Sequence, residues 1–307
     1  MTSRRDAFIS EMYRHGLEID AHIIADGRLH RFHVPGDRKG TKNGWYILYA
    51  DFPTVGVFGC WKRHIKRYWQ PNKNNSLTVA DLRKIKERAN DLQVQLDREF
   101  KAELAALRES EDLWHNTKPA TNNHSYLVWK GVRSHGLRYH QGALLVPLSD
   151  PDGNFHGLQR IWQNGDKRFH KGTITTGHFH IIGEANMATL LVCEGYSTGA
   201  TLHEITGHAV IVAFGCGNLR PVAEAVRAAW PTSRIIICAD DDYNEPDNPG
   251  MSAAVEAAAT INAELIVPQF PSTRGVTDSD FNDLFRLSGP TPILEYFNGK
   301  GVHHDNV

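Results

Sequence analysis

Acidic residues stand at two points of the sequence where long apolar runs end. Glu194 follows the run LLVC, and Asp240, Asp241 and Asp242 follow the run IIICA. Successive side chains of an extended chain point to opposite sides, so Asp240 and Asp242 are predicted to face one way and Asp241 the other. Because the carboxyl ends of parallel strands meet at one edge of an open sheet, we expect Glu194, Asp240 and Asp242 to lie together.

Carboxylates gathered in this way repel one another and raise each other's pKa unless a cation neutralises them. Hard oxygen ligands of this kind suit Mg²⁺ or Mn²⁺, so the pattern predicts a divalent metal site. A further acidic cluster, DSDFNDLF with Asp278, Asp280 and Asp283, could close around the same site. The alternative is that these aspartates are ordinary turn residues and helix caps.

Cysteine and histidine give no indication of a zinc site or a disulfide. The sequence contains no C-x-x-C, and its 17 histidines have no cysteine or carboxylate at zinc-finger or zinc-ribbon spacing. The four cysteines are far apart, and two of them, Cys193 and Cys238, lie in apolar runs, as expected of reduced, buried thiols. We therefore expect no zinc.

The acidic residues belong to a part of the chain, residues 188–307, in which apolar runs alternate with helical stretches. Continuous apolar runs are typical of strands that are buried on both faces of a sheet. Four such runs with helices between them predict a parallel sheet flanked by helices in a three-layer α/β domain. The runs are TLLVC, AVIVAFG, RIIICAD and AELIVPQF.

Three further segments precede this domain. Residues 1–75 open with an amphipathic helix and continue with short aromatic and β-branched runs separated by turns, which predicts a small, basic, β-rich domain. Residues 76–123 carry apolar residues at helical spacing from Thr78 to about Trp114, which predicts one long connecting helix and a linker. Residues 124–187 contain β-like runs joined by a Pro-Asp-Gly turn and form a basic α+β segment.

The formal net charge of −1 conceals opposite charges in different parts of the chain. Residues 1–75 carry +6, residues 124–184 carry +3 and residues 185–307 carry −9. This distribution suggests phosphate contacts in the first two segments and bound cations in the last. No apolar run is long enough to span a membrane, and the start MTSRRDAF lacks the apolar stretch of a secretory signal, so we expect a cytoplasmic protein without a membrane partner.

The sequence resembles the Toprim fold of bacterial primases, type IA and type II topoisomerases and some nucleases. The resemblance lies in a strand that ends in Glu-Gly, a later strand that ends in Asp-x-Asp, and a helix that begins at Gly250. Further motifs narrow the resemblance to the primases of conjugative plasmids, phages and related mobile elements, and it then covers nearly the whole chain. These motifs are HRFHVPGDRKGTKNGWYILY, FGCW, YLVWKGVRSHGLR, LLVPLSDPDGNFHGLQRI, GDKRFHKG, VCEGYSTGATLHEITG, FGCGNL, CADDD and DFNDLF.

The resemblance implies template-directed joining of ribonucleoside triphosphates into a short RNA primer on single-stranded DNA. Metal ions held by Glu194, Asp240 and Asp242 would activate the attacking 3′-hydroxyl and neutralise the triphosphate. Whether Glu194 acts as a metal ligand or as a general base is left open. Asp280 and Asp283 match the D-F-N-D-L segment of the family and imply an outer or third metal position.

The resemblance also assigns the basic residues that precede the acidic domain. In the family, the residues that match Arg138, Arg160, Lys167 and Arg168 lie beside the metals, where an incoming triphosphate and the template backbone need cationic partners. The alternative is that these residues are solvated surface charges, and the same alternative applies to Lys130.

The front segment departs from the pattern of the better-known primases, which carry a zinc ribbon there. The corresponding region retains aromatic and basic residues but only Cys60, so it resembles a ribbon that has lost its metal. Its aromatic side chains would stack on bases and its basic side chains would follow phosphates, unless the aromatic residues form the core of the sheet. The expected DNA-binding residues are Arg31, Arg38, Lys39, Lys42, Trp45, Trp61, Lys62 and Arg63.

Two other functions stay open beside primer synthesis. A Toprim nuclease would use the same Glu and Asp residues to cut phosphodiesters. A single-strand-binding module with a vestigial acidic site is disfavoured, because all three ligand positions of the motif are filled. The sequence has no G-x-x-x-x-G-K-[ST] phosphate loop, so a replicative helicase partner would be a separate protein.

Overall fold

A computed structural model describes residues 4–19, 22–37, 42–49, 51, 54–63, 65–71, 78–184 and 188–297. The chain forms two compact units, residues 1–102 and residues 103–307. Within the described ranges, no helix combines the length and the apolar character that crossing a membrane requires.

The first unit is built on a four-stranded antiparallel sheet with strand order β1-β2-β3-β4, on which helix α1 packs. The bounds are α1 Arg4–Arg14, β1 His30–Phe32, β2 Gly44–Tyr49, β3 Val55–Cys60 and β4 Ile65–Trp69. Helix α1 packs on the sheet because its apolar residues Phe8 and Met12 are fully buried there. The ring of Phe8 meets that of Phe58 edge to face, with 5.6 Å between the ring centres. The small antiparallel sheet thus agrees with the sequence pattern.

A single helix of 38 residues, α2 (Val79–Asn116), follows the sheet, and this confirms the predicted long helix. Its first half belongs to the first unit. Leu96 packs against the cluster that contains Trp45, and the side-chain amide of Gln95 donates to the carbonyl of Gly27. Because of this packing, the first compact unit continues past the predicted domain end at residue 75 and reaches residue 102.

The second unit contains a five-stranded antiparallel sheet in which the strands follow sequence order. The bounds are β5 Lys118–Pro119, α3 Ser125–Lys130, β6 Arg138–His140, β7 Ala143–Ser149, β8 Phe155–Trp162 and β9 Lys167–Phe169. The predicted turn between β7 and β8 is stabilised by Asp150, whose carboxylate accepts hydrogen bonds from the backbone N–H groups of Asp152 and Asn154.

A second five-stranded sheet, with order β10-β12-β11-β13-β14, forms the core of the same unit. The bounds are β10 His180–Ile182, β11 Thr189–Cys193, α4 Tyr196–Thr206, β12 Ala209–Val212, α5 Cys216–Ala229, β13 Arg234–Cys238, α6 Pro249–Ile261, β14 Glu264–Ile266, α7 Phe281–Ser288 and α8 Thr291–Phe297. The four predicted runs form the parallel strands, which confirms the α/β fold class. The short strand β10, which the sequence pattern does not predict, pairs antiparallel with β12.

The parallel sheet is buried on both faces. Leu191 and Cys193 face a core that they share with the antiparallel sheet, whereas Leu190 and Val192 face helices α5 and α6. Apolar side chains therefore occupy both faces of the parallel strands. Polar side chains collect where these strands end, at the carboxyl edge of the sheet.

Candidate active site

Glu194 and Asp240 follow two adjacent strands of the parallel sheet. Strands β11 and β13 pair in parallel with Val192 opposite Ile237, so both chains leave the sheet at the same edge. Glu194 interacts electrostatically with Asp242 and Asp280, and Asp240 interacts with all three of these carboxylates. The structure therefore brings four of the predicted acidic residues together at one site.

The two strand-end carboxylates are poorly compensated by the protein. Burial, followed by repulsion from Asp242, raises the pKa of Glu194 to about 7, although a backbone hydrogen bond from Cys216 and the Lys167 ammonium act against this. Burial, followed by repulsion from Glu194, raises the pKa of Asp240 well above its usual range. Buried oxygens of both groups, Oε1 of Glu194 and Oδ1 of Asp240, have no hydrogen-bond partner. Unpaired buried oxygens of this kind are costly unless something binds them.

Asp242 is fixed by the start of helix α6. Its Oδ2 accepts a hydrogen bond of 3.1 Å from the backbone N–H of Gly250, a favourable place for a carboxylate at a helix N-terminus. A Cβ atom at Gly250 would lie 2.7 Å from this same oxygen and 2.8 Å from the carbonyl oxygen of Asp240. Only glycine therefore allows α6 to approach the two aspartates so closely.

Asp241, the middle residue of the triplet, points away from the cluster, in agreement with strand alternation. Its Oδ2 accepts a hydrogen bond of 2.6 Å from Arg274, and its Oδ1 accepts one of 2.7 Å from Asn248. The Arg274 guanidinium also lies 3.8 Å from the ring centre of Tyr243. Arg274 thus anchors the loop that carries the aspartates. Nothing in the sequence pattern distinguished Arg274 from other surface arginines.

Asp280 is both a helix cap and a member of the acidic site. One of its oxygens accepts a 2.8 Å hydrogen bond from the backbone N–H of Asp283, which caps α7, and the other accepts a 2.9 Å bond from the hydroxyl of Thr198. Burial, followed by repulsion from Asp283, raises the pKa of Asp280. The cap and the metal-site interpretations are therefore compatible for this residue.

Asp283 makes an ion pair with a residue from the basic segment. Its Oδ1 lies 3.4 Å from the Nζ of Lys130, and its Oδ2 accepts a hydrogen bond from the backbone N–H of Ser279. The Lys130 ammonium also favours the ionised form of Asp280. Lys130 is therefore part of the site rather than a solvated surface charge.

The donor set fits a divalent cation that arrives with a phosphate ligand. The free, buried carboxylate oxygens of Glu194 and Asp240 are the kind of ligand that Mg²⁺ prefers. Among the residues with described positions, no three His, Cys, Asp or Glu side chains converge closely enough to hold an ion by themselves. Mg²⁺ in nucleotide sites commonly takes only one or two protein carboxylates and completes its shell with waters and substrate phosphates, so this open arrangement suits it.

The predicted basic residues divide between the two faces of the antiparallel sheet. Neighbouring residues of a strand point to opposite faces, so Lys167 and Arg168 of β9 diverge. Lys167 pairs with Ile161, a residue of the shared core, and its Nζ would lie 3.7 Å from a Cβ atom at Gly195. Arg168 pairs with Arg160 on the other face. Of these two residues of β9, Lys167 is the one that faces the carboxylates.

Arg138 lies in the same row across the sheet as Arg160, because both are opposite Leu145. Its guanidinium donates a 2.5 Å hydrogen bond to the carbonyl of Thr117 and lies 4.9 Å from the ring centre of Trp114, so it fastens the end of α2. The structure thus differs from the expectation that all four basic residues lie beside the carboxylates. The pairing register turns Arg138, Arg160 and Arg168 to the opposite face.

The predicted base-stacking tryptophans of the first unit are engaged within that unit. Trp45 is only 3% exposed and packs 5.2 Å from Trp61, between ring centres. The prediction that Trp45 stacks on bases is therefore wrong, because the side chain is part of the sheet core. The guanidinium of Arg31 lies 4.3 Å from the ring centre of Trp61.

The remaining predicted DNA-binding residues differ in their surroundings. Lys62 pairs with Asp37 at 3.1 Å. Arg63 donates to two backbone carbonyls and holds neighbouring turns together. Lys42 is exposed, and Arg38 and Lys39 lie outside the described residues.

Strand β4 is a further candidate surface for nucleic acid: the sequence predicts phosphate contacts for its basic residues Lys66 and Arg67, but it did not single out Tyr68. Lys66, Arg67 and Tyr68 are all exposed there, Tyr68 to 67%. The Nζ of Lys66 lies 5.4 Å from the ring centre of Tyr68. The signal that could have identified Tyr68 is the run IKRYW, in which basic residues immediately precede the aromatic ones.

Comparison with known proteins gives two kinds of match. Residues 189–291 match the family model of the Toprim domain. The chain is also 32% identical over 277 residues to a DNA primase TraC of Escherichia coli, with 81% of this chain and 24% of that protein covered. A second DNA primase TraC of Escherichia coli is 31% identical over 263 residues, with 81% and 18% covered. The chain spans about a quarter or less of the length of these relatives.

Among solved structures, the crystal structure of the zinc-binding and RNA polymerase domains of the Aquifex aeolicus primase aligns with 97% of this chain and 84% of that chain. The sequence identity is 14% and the TM-score is 0.45.

Proposed function

Because the chain carries a Toprim domain and its sequence relatives are DNA primases, we propose that it is a DNA primase of the type carried by plasmids and phages. It would join ribonucleoside triphosphates into short RNA primers on single-stranded DNA by metal-dependent nucleotidyl transfer. The observation that carries this proposal is the buried acidic site at the sheet edge, with Lys167 beside it. We propose the cytoplasm as its location and a replicative helicase as a partner.

Glu194, Asp240 and Asp242 are the proposed ligands of Mg²⁺ or Mn²⁺, with Asp280 and Asp283 as the outer position. When bound, the cation lowers the pKa of the attacking hydroxyl and neutralises charge on the triphosphate. The protein's own groups supply the geometry: the backbone N–H of Cys216 holds Glu194, and that of Gly250 holds Asp242. The Lys167 ammonium is placed to bind a phosphate oxygen next to Glu194.

Primer synthesis tests the proposal directly. The protein is incubated with single-stranded DNA of mixed sequence, ribonucleoside triphosphates and Mg²⁺ or Mn²⁺, and the RNA products are separated by length. We expect short, template-dependent RNA, and we expect Asp240→Asn to lower its yield by about 100-fold or more, since a metal site supplies several kcal/mol of charge stabilisation. Glu245→Gln serves as the matched control, because it also replaces a carboxylate by an amide, but at an exposed position of the following loop.

Two other outcomes identify the alternative functions. Cleavage of DNA or RNA without added ribonucleotides, lost in Asp240→Asn, identifies a nuclease that uses the same carboxylates. Tight binding of single-stranded DNA, with neither synthesis nor cleavage, identifies a binding module.

A further inference from the structure

Trp129 is a large aromatic side chain that the fold leaves half exposed. It lies on helix α3, one residue before Lys130, and 51% of its surface is open to solvent. Tryptophan is highly buried on average in folded proteins, so an exposed indole beside a charged site is informative.

The indole is held in place from one side. Atom Cζ3 of its six-membered ring would lie 3.0 Å from a Cβ atom at Gly165, so the ring edge rests on the backbone of the turn between β8 and β9. The ring of Tyr126 meets it edge to face, with 6.3 Å between centres. These contacts restrict the ring while about half of it stays accessible, which is the arrangement of a preformed platform.

One cation of the acidic site lies against this platform, and the turn beneath the platform leads into a second. The Nζ of Lys130 lies 5.1 Å from the Trp129 ring centre and 3.4 Å from Oδ1 of Asp283. Gly165, on which the ring rests, is two residues before Lys167, whose ammonium lies beside Gly195 and Glu194. Trp129 therefore contacts Lys130, which pairs with Asp283 of the acidic site, and rests on the turn that leads into Lys167.

We propose that Trp129 stacks on the base of the ribonucleoside triphosphate whose phosphates bind at the carboxylates. The inference rests on the proposed primase function and adds a nucleotide-binding residue to it. In a nucleotide the ribose separates the base from the phosphates, so phosphates beside Glu194 and Lys167 put the base toward the rim of the site. Stacking accepts every base, because every base has a π-face. This suits an enzyme whose template, rather than its protein surface, selects the nucleotide.

Binding measurements without DNA separate stacking from a structural effect. Calorimetric titrations with Mg²⁺ use ATP and inorganic tripolyphosphate, which has the phosphates but no base. We expect Trp129→Ala to weaken ATP binding about tenfold, in line with stacking energies, and to leave tripolyphosphate binding unchanged. Trp129→Phe, which keeps an aromatic ring, should restore most of the ATP affinity. Val128→Ala, at the neighbouring residue of α3 that is 65% exposed, is the matched control and should bind both ligands as the wild type does.

Each contrary result has a distinct meaning. If Trp129→Ala weakens ATP and tripolyphosphate equally, the residue acts through Lys130 or Lys167 and the stacking inference is wrong. If it weakens neither, or if the wild type binds ATP no more tightly than tripolyphosphate, the base makes no contact and the inference again fails while the primase proposal stands. If the wild type binds neither ligand, the primase proposal itself fails.

Discussion

Asp240 opposes the stability of the fold that contains it. Its carboxylate is buried beside Glu194, Asp242 and Asp280, and one of its oxygens has no partner. A charge in such a place is tolerated when a ligand compensates it. The protein itself does not compensate this charge, so the cation that we propose for the site would stabilise the fold on binding.

Removal of this charge should stabilise the protein in the absence of divalent ions. We expect Asp240→Asn to raise the free energy of unfolding at pH 7.5 with EDTA by about 1 kcal/mol, which is about 2–4 °C in melting temperature for a unit of this size. Mg²⁺ should raise the melting temperature of the wild type and leave that of Asp240→Asn nearly unchanged. The adjacent Asp241→Asn gives the contrast: it leaves Arg274 without its carboxylate and should lower stability. If Asp240→Asn melts below the wild type, the carboxylate is compensated within the protein.

The buried side chain of His180 should make the stability of the protein depend on pH. Burial lowers the pKa of this β10 side chain to about 4, from an ordinary value of 6.5. Between pH 6.5 and 4 the side chain is therefore protonated in the unfolded chain but neutral in the folded chain, and stability is lost as the pH falls through this range. The full loss is about 3–4 kcal/mol at most, since each unit of pKa corresponds to about 1.4 kcal/mol. Denaturant unfolding at pH 7.5 and pH 5 should show a smaller difference for His180→Leu than for the wild type or for His115→Leu, a change at an exposed histidine.

At the scale of elements, strand β9 assigns different roles to two adjacent basic residues. Lys167 faces the carboxylates and Arg168 faces away from them. Lys167→Met should raise the KM for ribonucleoside triphosphates about tenfold or more, because a hydrogen bond to a charged group contributes about 1.5–3 kcal/mol. Arg168→Met should leave this KM near the wild-type value. Steady-state primer synthesis at varied nucleotide concentration measures both, and equal effects of the two changes would contradict the assignment of faces.

Sequence periodicity was sufficient to predict the parallel strands, the acidic sheet edge and the long helix. A strand that is buried on both faces needs a continuous run of apolar residues, and such runs are visible in the sequence. Periodicity could not predict which face of the antiparallel sheet Arg160 and Arg168 occupy, since that depends on pairing register between distant segments. Trp45 was misjudged for a related reason. Strand β2 has a helix packed on each face, α1 against Tyr46 and α2 against Trp45, so alternation along it does not separate core from surface.

At the scale of the whole molecule, the two compact units have separate cores. We expect two transitions in calorimetric unfolding of the intact chain. Trp45→Ala should destabilise the first unit by about 3–5 kcal/mol, the usual cost of losing a buried aromatic side chain, and so lower the temperature of its transition. Mg²⁺ should raise the transition temperature of the second unit only. Tyr68→Ala, at an exposed aromatic residue of the same sheet, should move neither transition. A single transition that Trp45→Ala and Mg²⁺ both shift would contradict independent cores.

Strand β4 is the edge strand of the four-stranded sheet within the described residues. Its exposed side chains are Lys66, Arg67 and Tyr68. A strand in that position offers backbone N–H and C=O groups to any other strand that approaches, and charged side chains are the usual protection against such pairing between copies. Lys66 and Arg67 therefore have a second expected role at this edge, protection against pairing between copies, beside the nucleic-acid contact for which the strand is a candidate. Neutralising both charges would remove this protection and confuse a binding assay, so Tyr68, which carries no charge, is the cleaner position at which to test whether the strand binds DNA.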